Sequence, residues 1–453
     1  MTEKVEQLSE ELNSFDPTER REALEVLAEM AQQHRIQLPA PTGAVNLHCH
    51  TFFSYNAYGY SPSAFAWEAR RRGLEVAGIV DFDCLDGTRE FLEAGRLLGL
   101  KTVSGFETRV FIKEYRHLVT NSPKEPGVFY LIGAGFVEPP PAGSDGARLL
   151  HDMAARAHNR NLDIVRRVNA HLDPVRIDYD RDVLPLTAAG NATERHILDA
   201  YEHKAREHFG RDAEVLAGFW REKTGETLAR LATLLDDVPA LKDVIRARLM
   251  KHGGVGYVQP DEGMFPALED VVRMTLDCGA LPSGAWLDGA NDGEADALKN
   301  FGFLRDKGCV SITIVPDRNW NVDPDERELK VGKLNEAVAD ARELEMPILV
   351  GTEMNKPGSK FVDDFACGAL APHLGEFRRG AHIAWAHTLL KMTAGVGYVG
   401  EWAEAHFGGR VGEKNEFFGR IGAARYPDAK VMQHCIELGV DAGPDDFLKV
   451  LCS

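Results

Sequence analysis

The sequence predicts a distorted TIM-like barrel, (β/α)7-8, with a helical insertion and helical extensions at both ends. Three observations predict it. Short apolar runs alternate with amphipathic segments from residue 43 onward, that rhythm breaks between residues 139 and 265, and charged or polar groups close one apolar run after another.

Each element follows from local pattern. Residues 1–42 read as a helical lead-in. Asp16-Pro17-Thr18-Glu19 combines an N-cap acid, a proline at the first helical position and a glutamate at the third, and Ala23, Leu24, Leu27, Met30 and Ala31 follow as a helical stripe. Residues 43–138 are the first barrel half, with strands at 45–48, 75–80, 101–106 and 127–135 and helices at 61–72 and 88–98. Residues 139–265 are polar, charge-rich and helical in period, as expected of an insertion that caps the barrel. The second half, 266–359, resumes the alternation. Helices at 268–276, 294–305 and 329–344 lead into strands near 280–287, 310–315 and 347–351. Residues 360–453 read as a mainly helical extension, within which 381–386 could add one further strand.

Composition narrows the function class. Over 453 residues, 70 acidic side chains against 52 basic ones give a net charge of −18, with no basic run, which argues against nucleic acid or an anionic membrane as partner. The seven cysteines are scattered without a CxxC pair, and the first residues hold no apolar stretch of signal-peptide type; both suit reduced thiols and a cytoplasmic location. No segment reaches the length of a membrane-spanning helix. Nothing in the sequence sets an oligomeric state.

The chemistry is expected where the strands end, because βα loops form a common mouth at the carboxyl ends of barrel strands. The first strand ends in His48 and His50, the second in Asp81, Asp83 and Asp86, and the third in Glu107-Thr108-Arg109. Later strands end in Trp286 and Asp288, in Asp317-Arg318-Asn319-Trp320 and in Glu353-Met354-Asn355-Lys356. Histidines at i and i+2 on a strand share a face, so both imidazoles can reach one ion; a pair of hydrogen-bonded core histidines is the bland alternative. Carboxylates at neighbouring strand ends favour a divalent metal, and imidazole with carboxylate suits zinc, manganese or iron alike.

Asn46-Leu47-His48-Cys49-His50-Thr51-Phe52-Phe53-Ser54 resembles the opening motif of the PHP (polymerase and histidinol phosphatase) superfamily. The segment from Gly73 to Asp83 resembles the second motif and Gly105-Phe106-Glu107 the third; Glu194-Arg195-His196-Ile197 is similar to its Arg-x-His segment, and Gly351-Thr352-Glu353-Met354-Asn355 to its terminal motif. The resemblance covers roughly 43–135, 150–200 and 265–356, in order. It implies metal-dependent phosphoesterase chemistry on a distorted seven-stranded barrel. His48, His50, Glu107, His196 and Glu353 would be metal ligands. Departures are also present: Phe82 stands where that family has histidine, Tyr55 where it has an acid, Trp286-Leu287 in place of His-Pro, and Asn355 in place of the terminal histidine. The remaining set implies one ion rather than three.

Asp81 and Asp83 are candidates for ligand and general base, or for helix caps. Arg318 and Lys356 could hold an anionic substrate group or neutralise the acidic mouth. Asn319, Trp320 and Asn355, with Trp286, form a polar-aromatic set suited to a small ligand. Asp288 reads as a turn residue, His171 and His252 as structural, and His382 and His387 stand in reserve. Cys49 points away from its neighbours by strand alternation. The leading expectation is a metal-dependent hydrolase, a phosphoesterase acting on an anionic small molecule through metal-activated water. A sugar-acid isomerase or lyase, and a non-catalytic binding protein on a degenerate barrel, are the alternatives.

Overall fold

The computed structural model describes residues 2–210 and 212–452. Seven strands form one sheet in sequence order: β1 (Val45–Cys49), β2 (Val76–Phe82), β3 (Lys101–Phe111), β4 (Val128–Ala134), β5 (Leu281–Trp286), β6 (Ser311–Ile314) and β7 (Ile348–Val350). The sheet curls until its ends meet. Cys49 bridges Glu353, the Glu353 amide donates to the His48 carbonyl at 2.7 Å, and the His50 amide donates to the Glu353 carbonyl at 2.9 Å. The result is a distorted barrel of the predicted class.

Two strand expectations need correction. The expected alternation of strand and helix fails once, because β4 runs antiparallel to both β3 and β5 while the other pairs are parallel. β3 continues to Phe111, and the chain between it and β4 holds only a short 3-10 turn, Lys113–Tyr115. A parallel neighbour needs a crossover helix; without one the strand returns the way it came. The second correction is the extra strand at 381–386, which lies inside the helix Leu374–Ala394. A continuous apolar run fits a buried helix as well as a buried strand, and here its flanks extend the helical pattern to 21 residues.

That helix lies across the amino-terminal end of the barrel. The Cβ that Gly380 lacks would fall 1.9 Å from the Ile348 carbonyl, so glycine is what lets the helix backbone approach β7. The insertion carries its own core, with Val168, Leu172, Ile197, Tyr201, Trp220, Leu241 and Ile245 fully buried. Its first helix, Asp145–Leu172, joins both regions: Met153 packs into the barrel core and Val165, Val168 and Leu172 into that of the insertion. Among the described residues, no helix is long and apolar enough to cross a membrane.

Candidate metal centre

The carboxyl ends of the parallel strands and the insertion enclose a cavity of about 940 Å³. His48, Asp83, Glu107, Arg318, Glu353, Asn355 and Lys356 line it. The structure brings together three of the five expected metal ligands. The ring nitrogens of His48 and His50 and a Glu107 carboxylate oxygen lie within 4.8 Å of one another, all buried. Glu107 Oε2 is 3.2 Å from His50 Nε2 and 3.6 Å from His48 Nε2.

The donor set fits a divalent cation. Both Nε2 atoms and His48 Nδ1 are buried without a hydrogen-bond partner among the described residues. Unsatisfied buried nitrogens of this kind are rare in a folded chain, and an ion between them and a carboxylate would satisfy two of the three. Burial opposes ionisation of Glu107, but His48 and His50 outweigh it and hold the carboxylate below its usual range. Burial likewise lowers the His50 value, and the adjacent Glu107 carboxylate, with Asp81 behind it in effect, reverses this and raises it.

Asp81 does not face the cavity; it holds the first motif in shape. Its Oδ1 accepts from the Thr51 amide and from Ser54 Oγ, both at 2.7 Å, and its Oδ2 accepts from Thr51 Oγ1 at 2.6 Å. Because Ser54 donates to Asp81, its oxygen is left to accept from His50 Nδ1, 3.3 Å away. That proton on Nδ1 leaves the Nε2 lone pair free toward Glu107, the tautomer a metal ligand needs. Burial pushes the Asp81 carboxyl up, against the opposing hydrogen bonds from Thr51 and Ser54.

Two expected ligands stand outside the group. Glu353 is held at both oxygens, by Arg318 Nη2 at 2.5 Å and Asn355 Nδ2 at 3.1 Å. Burial opposes its ionisation, but Arg318 and His48 together outweigh this and hold the carboxyl below its usual range. His196 uses Nδ1 to accept from the Thr193 amide at 3.0 Å, capping its own helix, and burial pulls its ring down to about 4. Tyr55 packs edge-on against it, with centroids 5.1 Å apart.

Of the expected substrate contacts, Asn319 does not reach the cavity. It is fully buried and donates to the Lys330 carbonyl at 2.9 Å and the Asp288 carbonyl at 3.3 Å, tying two loops together. Trp320 packs toward the barrel core, with Lys360 4.1 Å over its ring. Asp83 lines the cavity at a φ of 56°, accepts from Thr108 Oγ1, and is pushed up by burial against the pull of Arg160. Phe82 presents a flat face where the resemblance expects histidine, and stacks on His50 at 4.4 Å. Of the reserve histidines, His382 binds Glu75 at 2.7 Å and His387 the Gly135 carbonyl at 3.1 Å, both away from the mouth. Cys49 contacts Met354 and Asn56, and burial pushes its thiol well up.

The cavity also contains groups that received no role from the sequence. Arg109 follows Glu107 by two residues on β3, which alternation alone places on the same face. Ser54, which contacts His50 without lining the cavity, likewise received no role and stands in the first motif itself. Arg160 comes from the insertion helix, where nothing in the local pattern marks it.

The fold and site together define a barrel protein with a buried two-histidine, one-carboxylate centre at its mouth. No family model matches the chain. It is 26% identical over 251 residues to an error-prone DNA polymerase of Mycolicibacterium paratuberculosis, across 54% of this chain and 21% of that protein, so it spans about a fifth of that relative's length. Among solved structures it is similar to an amidohydrolase from Chromobacterium violaceum with bound sulfate and no metal (TM-score 0.45, 16% identity, 73% of this chain and 96% of that one). It is also similar to a protein assigned as a metal-dependent phosphoesterase from Bifidobacterium adolescentis (TM-score 0.46, 18% identity, 75% and 98%). The resemblance to the PHP superfamily stands on the order of its motifs and on the seven-stranded barrel that carries them.

Proposed function

We propose that the chain is a metal-dependent hydrolase whose substrates are phosphoesters of anionic small molecules. The observation that carries this reading is the buried group of His48, His50 and Glu107 at the edge of a large cavity, with both Nε2 atoms unpartnered. These residues would hold one divalent ion, zinc, manganese or iron. When bound, such an ion acts as a Lewis acid and makes water nucleophilic near neutral pH.

The chain's own residues do the rest. Ser54 and Asp81 orient His50. Asp83, on the cavity wall with its carboxyl pushed up by burial, is the group suited to exchange a proton with the substrate. Arg318 and Lys356 stand at the exposed rim, where positive charge draws an anion inward. Asn355 and Arg318 fix Glu353, which keeps negative charge beside the centre.

The purified chain is expected to carry about one ion, and the loaded protein to release phosphate from aryl and sugar phosphates. Elemental analysis that finds no bound metal, even after zinc, manganese or iron is added, overturns the reading. So does a metal-loaded protein that releases no phosphate across such a panel.

A further inference from the structure

We propose that Arg109 and Arg160 form an anion subsite, separate from the metal centre, that takes a second anionic group of the substrate. The two side chains come from different parts of the chain, β3 and the insertion helix Asp145–Leu172, and both line the cavity. Both guanidinium groups sit over the ring of Phe265, at 4.4 and 4.7 Å from its centroid. One aromatic ring thus contacts both guanidinium groups.

Their local partners do not use up their capacity. Each guanidinium has five N–H donors. Among the described residues, Arg109 donates no side-chain hydrogen bond, and Arg160 reaches only the Met264 carbonyl, at 3.5 Å. The nearest carboxylates are Glu125, 3.6 Å from Arg109, and Asp83, 4.0 Å from Arg160. Both acids accept closer hydrogen bonds elsewhere, Glu125 from Ser122 and Asp83 from Thr108. Glu194, also on the cavity wall, is engaged by Arg246 and Lys251, each at 2.9 Å. Arg318 differs, since Glu353 holds it at 2.5 Å. Apart from the exposed Lys356 at the rim, the open cationic donors of the cavity among the described residues are therefore at Arg109 and Arg160.

Geometry sets the class of ligand. Arg109 lies two residues beyond Glu107 on the same face of β3, a separation of about 7 Å along the strand. A small molecule with one ester at the metal centre and a phosphate or carboxylate a few bonds away would meet both. Burial, and then Arg109, lower the Arg160 value to about 10, and an anion near two such like charges favours both.

This subsite extends the hydrolase reading, and it can be tested without catalysis. Pyrophosphate titrated by calorimetry into chelator-treated, full-length protein is expected to bind. Arg160→Gln and Arg109→Gln are each expected to weaken that binding at least about tenfold, the scale of one lost charge-assisted contact, and Arg160→Lys to recover part of it. Thermal melts of each variant confirm the fold; if Arg109→Gln fails to fold, the insertion residue Arg160 decides. Absence of pyrophosphate binding, or equal binding by wild type and Arg160→Gln, overturns the subsite. Binding that depends on the arginines in a protein that releases no phosphate when metal-loaded overturns the hydrolase reading alone. Matched substrates separate the two anion types: phenyl phosphate derivatives with an added carboxylate or an added phosphate should both exceed phenyl phosphate in kcat/KM. A gain confined to one assigns the subsite to that group, and no gain with either overturns its role in substrate choice.

Discussion

Two glutamates at opposite ends of the barrel, Glu75 half-buried and Glu107 buried, show how the same side chain serves different ends. At the amino-terminal end, Glu75 is surrounded by His382 at 2.7 Å, Arg378 at 2.9 Å and Lys101 at 3.4 Å. Burial would raise its value, but His382, then Lys101 and Arg378, bring it down to about 2. Every charge there has a partner. At the mouth, Glu107 faces two histidines whose Nε2 atoms have no hydrogen bond among the described residues. The first arrangement is complete without a ligand and holds the helix Leu374–Ala394 to the barrel; under the proposed function, a cation would complete the second. Charge saturation is what separates the two carboxylates.

The comparison can be broken most directly at the mouth. Replacing His48 and His50 together with alanine should remove the bound metal and cut phosphate release by about a thousandfold, the scale of losing a main electrostatic stabiliser. The melting temperature of the chelated protein should hardly change. A variant that keeps its metal by elemental analysis would show that the ion sits elsewhere.

The opposite result is expected at the other end. Glu75→Ala leaves Lys101, Arg378 and the His382 ring without their shared carboxylate and should cost about 2 kcal/mol, after allowance for partial exposure, with the metal content unaltered. The folded value of Glu75 lies below its ordinary 4.5. Its contribution is therefore complete above about pH 5 and is lost as pH falls toward 2. Denaturant titrations at pH 6 and pH 3 check this: wild type should lose more stability than Glu75→Ala between them. Equal losses would contradict a saturated cluster.

Ser54→Ala sharpens the mouth side. It frees the His50 ring without deleting a ligand, and should weaken metal binding by about tenfold, as loss of an orienting partner does. Unchanged affinity in a chelator competition would mean that Phe82 stacking alone fixes the ring. The smallest effect is expected for Asn319→Ala, which loses two loop-tying hydrogen bonds and should cost about 1 kcal/mol. Its KM should stay that of wild type, and a large KM rise would place Asn319 in contact with substrate after all.

The fold was legible in the sequence where periodicity is local. The strand runs of the first half, the helical insertion and the return of alternation after residue 265 follow from side-chain period alone. The direction of β4 did not, because strand direction depends on what connects the strands, and the 112–127 loop has no apolar period of its own. The run at 381–386 was ambiguous for another reason: a fully buried helix has no polar face to reveal its period. In the site, His48, His50 and Glu107 were readable because alternation and strand ends put them together. Glu353 and His196 belong to the motif pattern, yet contacts across long sequence distances, Arg318 on one and the Thr193 cap on the other, decide what their lone pairs do. Arg160 could not be found at all, since its place at the cavity depends on how a long helix sits against the barrel.

That helix follows from the reversed strand. Because β4 ends at the amino-terminal side, the insertion starts there, and Asp145–Leu172 must climb the outer wall before Arg160 reaches the mouth. Its 28 residues span about 42 Å. The roof of the cavity is thus carried on a mast stepped at the far end of the molecule. A slip of one helical turn at Met153 would move Arg160 by about 5 Å, so substitutions in the barrel wall, well away from any ligand, can set which substrates the mouth accepts.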